Sequence, residues 1–143
     1  YFPDTLRNLS VREVQEGDVL ESGVRILDTP GHTRGSMSVV VETSEGAVVL
    51  AGDALTSPGS ALIGKPFLIF WNEREAEESV AKLLKAGRIF YPGHDRPFRL
   101  GEGTSFEYIV EGGAVRVFGS MGHGSEVSVE IAPAPPPQVR VMP

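Results

Sequence analysis

Most apolar residues fall into short runs rich in β-branched side chains, each stopped by Gly, Pro or a polar turn. Val24 to Asp28, Met37 to Glu42, Ala47 to Leu50 and residues 88–91 read as strands on this basis. Val11 to Val14 alternates and predicts a short strand before the turn Glu16-Gly17-Asp18. Thr43 to Gly46 reads as a hairpin loop, so residues 24–50 form an antiparallel meander rather than a βαβ unit. Farther on, Phe106 to Val110 and Ala114 to Phe118 flank Glu111-Gly112-Gly113, a hairpin signal, and Glu126 to Ile131 alternates as a further strand.

One stretch changes period. Ala76, Val80, Leu83 and Leu84 recur at helical spacing behind Asn72, which with Glu75 makes a capping-box arrangement. Gly87 is expected to end this helix in a left-handed cap, giving one main helix over residues 73–86. Residues 54–71 read as a long connection carrying the aromatic run Phe67-Leu-Ile-Phe-Trp71, suited to a substrate pocket, a dimer contact or the core. The pattern as a whole predicts an α+β domain over residues 1–131, followed by a Pro-rich tail at 132–143.

Composition narrows the function classes. A net charge of −6 over 143 residues disfavours a broad grip on nucleic acid. The chain has no cysteine, which excludes disulfides and thiolate metal sites and suits a cytoplasmic protein. No apolar stretch approaches the ~20 residues of a membrane helix. Few amide side chains and more Arg than Lys lean toward a heat-adapted source. The chain starts at Tyr1 as though cut from something longer.

The chemistry sits at the strand ends. Val24–Leu27 runs into Asp28-Thr-Pro-Gly-His32; Ala47–Ala51 meets Gly52 and delivers Asp53; Arg88-Ile-Phe-Tyr-Pro-Gly leads to His94. Three apolar runs thus each end in a turn-former followed by a metal-competent side chain. Two imidazoles and a carboxylate suit zinc, iron or manganese. His123, in Met-Gly-His-Gly, follows no apolar strand and reads as a loop residue.

Thr29-Pro-Gly-His-Thr-Arg-Gly-Ser36, Leu50-Ala-Gly-Asp-Ala54 and Tyr91-Pro-Gly-His-Asp95 resemble, in that order, the later motifs of the metallo-β-lactamase superfamily. The resemblance covers roughly residues 15–97 and implies half of an αββα sandwich with a mostly antiparallel, mixed sheet. It implies that His32 binds a first metal, His94 a second, and that Asp53 bridges them as the catalytic carboxylate. Asp95 would steady its neighbour His94 or serve the turn. Arg34 stands where the family usually has proline. The family's His-x-His-x-Asp-His motif is absent, so the chain looks like the second half of the fold.

The expected function is therefore a metal-dependent hydrolase acting on a small-molecule ester, thioester, lactone or similar bond, with one or two zinc ions. It would be complete only with a complementary first half or another chain covering the sheet face built by residues 24–50, as an oligomer. A non-catalytic binding module and a mononuclear iron oxygenase are the alternatives.

Overall fold

A computed structural model describes residues 9–109, 115–121 and 125–131. Its contacts fall into two compact units, Tyr1–Ile109 and Val110–Pro143. In the first, seven strands form one sheet in sequence order: β1 (Val19–Glu21), β2 (Val24–Asp28), β3 (Met37–Thr43), β4 (Gly46–Gly52), β5 (Ile89–Pro92), β6 (Phe98–Leu100) and β7 (Phe106–Tyr108). All neighbours are antiparallel except β4 and β5, which run parallel. Between those two lie helices α1 (Pro58–Ile63) and α2 (Glu73–Ala86). In the second unit, β8 (Val115–Met121) and β9 (Ser125–Ile131) pair antiparallel.

Helix α2 begins as its sequence requires. The Asn72 side chain accepts the Glu75 backbone N–H at 3.0 Å, and Glu73 and Glu75 favour the positive end of the helix. Val80 and Leu83 are buried on the sheet face made by Leu27, Val40, Val49, Ala51 and Phe90, and Ala76 is buried against Gly31. Successive strand residues point to opposite faces. The other face therefore carries Met37, Val39, Val41, Val48, Leu50 and Tyr91, with Leu50 registered between Val39 and Tyr91. It is apolar and partly open: Met37, Leu50 and Tyr91 are each at least 40% exposed, whereas Ile26 and Ile89 on the same face are buried.

Three local expectations are corrected. Val11–Val14 forms no strand; Val11 is exposed, and the chain instead turns at Gly17 and pairs Gly17 and Asp18 with Ile26. The connection 54–71 contains α1, because Ser57 is its N-cap, Pro58 opens its first turn and Gly64 ends it at φ +80°. Gly87 is extended rather than left-handed; a Cβ there would press on the Ala47 carbonyl oxygen at 2.6 Å. Phe106 to Tyr108 pairs with β6, and β8 pairs with β9; the turn of the hairpin expected across residues 111–113 lies outside the described residues. Phe98 and Phe106 stack edge-on at 6.2 Å, which favours the β6–β7 pairing. Residues 111–113, His123 and the tail at 132–143 lie outside the described residues.

Glu16 ties the first turn to the sheet. Its carboxylate accepts the Asp28 backbone N–H and a 3.2 Å hydrogen bond from Lys82 on α2. The Asp28 amide above all, then Lys82, holds the Glu16 carboxyl below its ordinary 4.5 against the opposing effect of burial. A depressed carboxyl stabilises the fold above its unfolded pKa, and that contribution disappears as pH falls through the folded value. Urea midpoints measured between about pH 5 and pH 3 should fall less steeply for Glu16→Gln than for the parent chain, by a small margin because Glu16 is half exposed.

Candidate metal centre

The turn after β2 is held from several sides. Buried Thr29 hydrogen-bonds Ser38 at 2.9 Å, and the Ser38 hydroxyl donates to the Ala51 carbonyl on β4. From α2, Lys82 donates to the Asp28 carbonyl and Ser79 to the Pro30 carbonyl, both at 2.7 Å. Gly31 sits at φ +130° with its α-carbon against the α2 backbone, and a Cβ there would overlap Ala76. Only glycine meets both demands.

This leaves His32 buried and aimed. Its Nδ1 lies 2.8 Å from the Leu68 carbonyl oxygen. A carbonyl only accepts, so Nδ1 carries the hydrogen and Nε2 is left to face the Asp53 Oδ2 at 3.5 Å. The segment after α1 straps over this ring. Phe70 N–H donates to the His32 carbonyl, Trp71 and Asn72 N–H donate to that of Gly31, and the Phe70 ring stands edge-on to the imidazole at 5.2 Å.

Parallel pairing brings the other two groups together. Gly52 at the end of β4 registers with Pro92 at the end of β5, so the residues that follow leave from the same sheet edge. Gly93 N–H donates to the Gly52 carbonyl at 2.8 Å, and His94 N–H to that of Thr56 at 3.2 Å. A Cβ on Gly93 would collide with Asp53 Oδ1. The His94 Nε2 then lies 3.1 Å from that same oxygen.

The three predicted residues therefore converge, each imidazole facing a different oxygen of one carboxylate. They do so as two His–carboxylate pairs. Among the described residues no group of three or more His, Asp or Glu side chains is gathered to hold one ion. In the His32 pair a ring nitrogen left as an acceptor faces a carboxylate oxygen, the arrangement of two lone pairs that a bound cation would satisfy. Two ligand atoms each ~2.0–2.1 Å from one tetrahedral ion are roughly 3.3 Å apart, and the observed 3.5 and 3.1 Å bracket that separation. Each pair thus offers two ligand atoms at a spacing one ion could span.

Asp95 touches neither imidazole of the pairs. Its carboxylate accepts the Arg96 backbone N–H at 2.7 Å and the Tyr108 hydroxyl at 3.0 Å. Burial, then this bond to Asp95, raises the Tyr108 pKa above its usual 10.0. The Leu68 carbonyl, Phe70 and Tyr108 are the parts of the site that sequence reasoning missed. A main-chain acceptor has no residue signature, although the aromatic run 67–71 did mark its segment.

The family profile described as the metallo-beta-lactamase superfamily matches residues 1–94. The chain belongs to the metallo-β-lactamase superfamily. Metallo-beta-lactamase domain-containing protein 1 of Xenopus laevis is 37% identical over 79 residues, which cover 54% of this chain and 33% of that protein. Among solved structures, an N-acyl homoserine lactone hydrolase with the product N-hexanoyl-L-homoserine bound at its catalytic metal center is 31% identical at a TM-score of 0.50. The match covers 57% of this chain and 34% of that one. A mutant B. thuringiensis AiiA with N-decanoyl-L-homoserine bound at the active site matches with the same identity, TM-score and coverage. The chain thus spans about a third of the length of these superfamily members. Its mixed sheet with helices on one face is the expected α+β part of the superfamily fold. No helix among the described residues is long and apolar enough to cross a membrane.

Gly93→Ala should force the Asp53 carboxylate aside at a cost of about 1–3 kcal/mol in urea unfolding. Gly35→Ala, with nothing within 4 Å of its Cβ, is the control and should change stability by less than about 0.5 kcal/mol.

Proposed function

We propose that this chain is the later part of a two-metal hydrolase, in which His32 holds one ion, His94 the other, and Asp53 bridges them. The observation that carries this reading is the Asp53 carboxylate, which faces one imidazole with each oxygen. Bound there, such ions would supply a water whose pKa is lowered toward ~7 and would polarise the carbonyl to be cleaved.

This chain's own residues fix where that happens. The Leu68 carbonyl sets the His32 tautomer, as outer hydrogen bonds do for metal-ligating histidines. Phe70 shields one edge of the same ring from water. Zinc suits the imidazole–carboxylate donors, with iron or manganese as substitutes. Catalytic zinc usually has three protein ligands, one more than either pair provides here. The remainder would come from a complementary first half seated on the open face of Met37, Leu50 and Tyr91. A small-molecule lactone or related ester is the favoured substrate class, supported by the neighbour that is an N-acyl homoserine lactone hydrolase. The net charge of −6 counts against nucleic acid. An iron triad on one ion is less well supported, because the donors form two pairs.

Metal analysis of the chain assembled with its complementary half tests this directly. About two equivalents of zinc are expected, with Asp53→Ala losing both, and His32→Ala and His94→Ala one each. Lactone hydrolysis should fall in all three by more than about a hundredfold, beyond the ~10–100-fold typical of outer-sphere changes. Full metal retention by Asp53→Ala would overturn the bridging role, and an assembly that binds no metal, with His32→Ala leaving its behaviour unchanged, would favour a non-catalytic module.

A further inference from the structure

His94 differs from His32 in how it is held. His32 is 8% exposed and its ring is hydrogen-bonded. The His94 side chain is 59% exposed, and its nearest recorded polar contact is Asp53 itself. Beyond the bond from its own N–H to the Thr56 carbonyl, what fixes His94 acts through the turn that carries it, His94-Asp-Arg-Pro97, between β5 and β6.

That turn is gripped by one side chain from another strand. Tyr108 on β7 donates its hydroxyl to Asp95 Oδ2 at 3.0 Å, and the Arg96 guanidinium lies over its ring at 3.8 Å from the centroid. The Tyr108 ring is in turn the last rung of an aromatic ladder rooted in the core. Phe90 stacks on Phe98 at 5.4 Å, Phe98 meets Phe106 at 6.2 Å, and Phe106 meets Tyr108 at 5.4 Å. Phe90 and Phe98 are fully buried and stand at the two roots of the turn, so the phenol is referenced to the strands that the turn joins. The adjacent backbone closes the same frame, with Ile109 N–H donating to the Pro97 carbonyl at 2.9 Å.

We propose that Tyr108 is the positioning residue for His94: by clamping Asp95 with its hydroxyl and Arg96 with its ring, it holds the turn so that the His94 imidazole faces Asp53 Oδ1. The inference rests on His94 being a metal ligand and adds a residue outside the three that meet at the carboxylate. Tyr108→Phe keeps the aromatic ladder and the ring face for Arg96 while deleting only the bond to Asp95. It is therefore the variant that isolates the clamp from packing.

The test is a zinc titration of the chain assembled with its complementary half, followed by NMR with only this chain's histidine rings labelled and His32 and His94 assigned by their Ala variants. Tyr108→Phe should weaken zinc binding read at the His94 ring by roughly tenfold, the low end of the ~10–100-fold range for outer-sphere partners. Binding read at the His32 ring should change by less than about twofold, because nothing in its shell is altered. Unchanged affinity at His94, or equal losses at both rings, overturns the positioning role while leaving the metal reading intact. Zinc that moves neither ring in the parent assembly overturns the metal reading and this inference with it.

Discussion

The parallel pairing of β4 with β5 is the constraint on which the site depends. Every other neighbouring pair in the seven-stranded sheet is antiparallel, so adjacent strand ends there point opposite ways. Here alone two strands finish side by side, and each hands over a functional residue: Asp53 beyond Gly52, His94 beyond Pro92. The crossover is made possible by α1 and α2, whose burial on one face of the sheet returns the chain to the correct edge. Gly93 then lets the backbone approach the carboxylate so closely that no side chain fits between.

The third group arrives by a different route. His32 follows an antiparallel strand, and its turn is braced by hydrogen bonds from Ser79 and Lys82 on the helix that crosses between the parallel pair. The same helix therefore supports both halves of the site: it fills the core under β4 and β5, and it holds the turn that aims His32. A displacement of α2 would be felt at all three residues together.

Much of this was legible from residue order. The strand ends declared themselves because a turn-former and a metal-competent residue followed each apolar run, and α2 because its cap and its period agree. What escaped were features whose cause lies between distant residues. Ser57-Pro58-Gly59 looks like a run of breakers, yet Ser and Pro are also what a short helix wants at its start. Gly87 looked like a helix cap and is instead small because the Ala47 carbonyl lies against it. The short strand β6 is hidden between Pro97 and Gly101, and only its ring contacts across to β7 reveal why it pairs there. The two-pair division of the donors was equally invisible, since spacing along a chain says nothing about which oxygen an imidazole meets.

The strap over His32 carries a consequence for how such a site can change over evolutionary time. The group that sets the ring's proton is a peptide oxygen, present whatever residue occupies position 68, and the other strap bonds to Gly31 and His32 are also main-chain to main-chain. Phe67, Leu68, Phe70 and Trp71 meanwhile turn most of their surface outward. Substitutions along that rim can alter what the neighbourhood of the imidazole favours while the imidazole keeps its tautomer, so variation in preference and constancy of chemistry are separated within nine consecutive residues, 64–72.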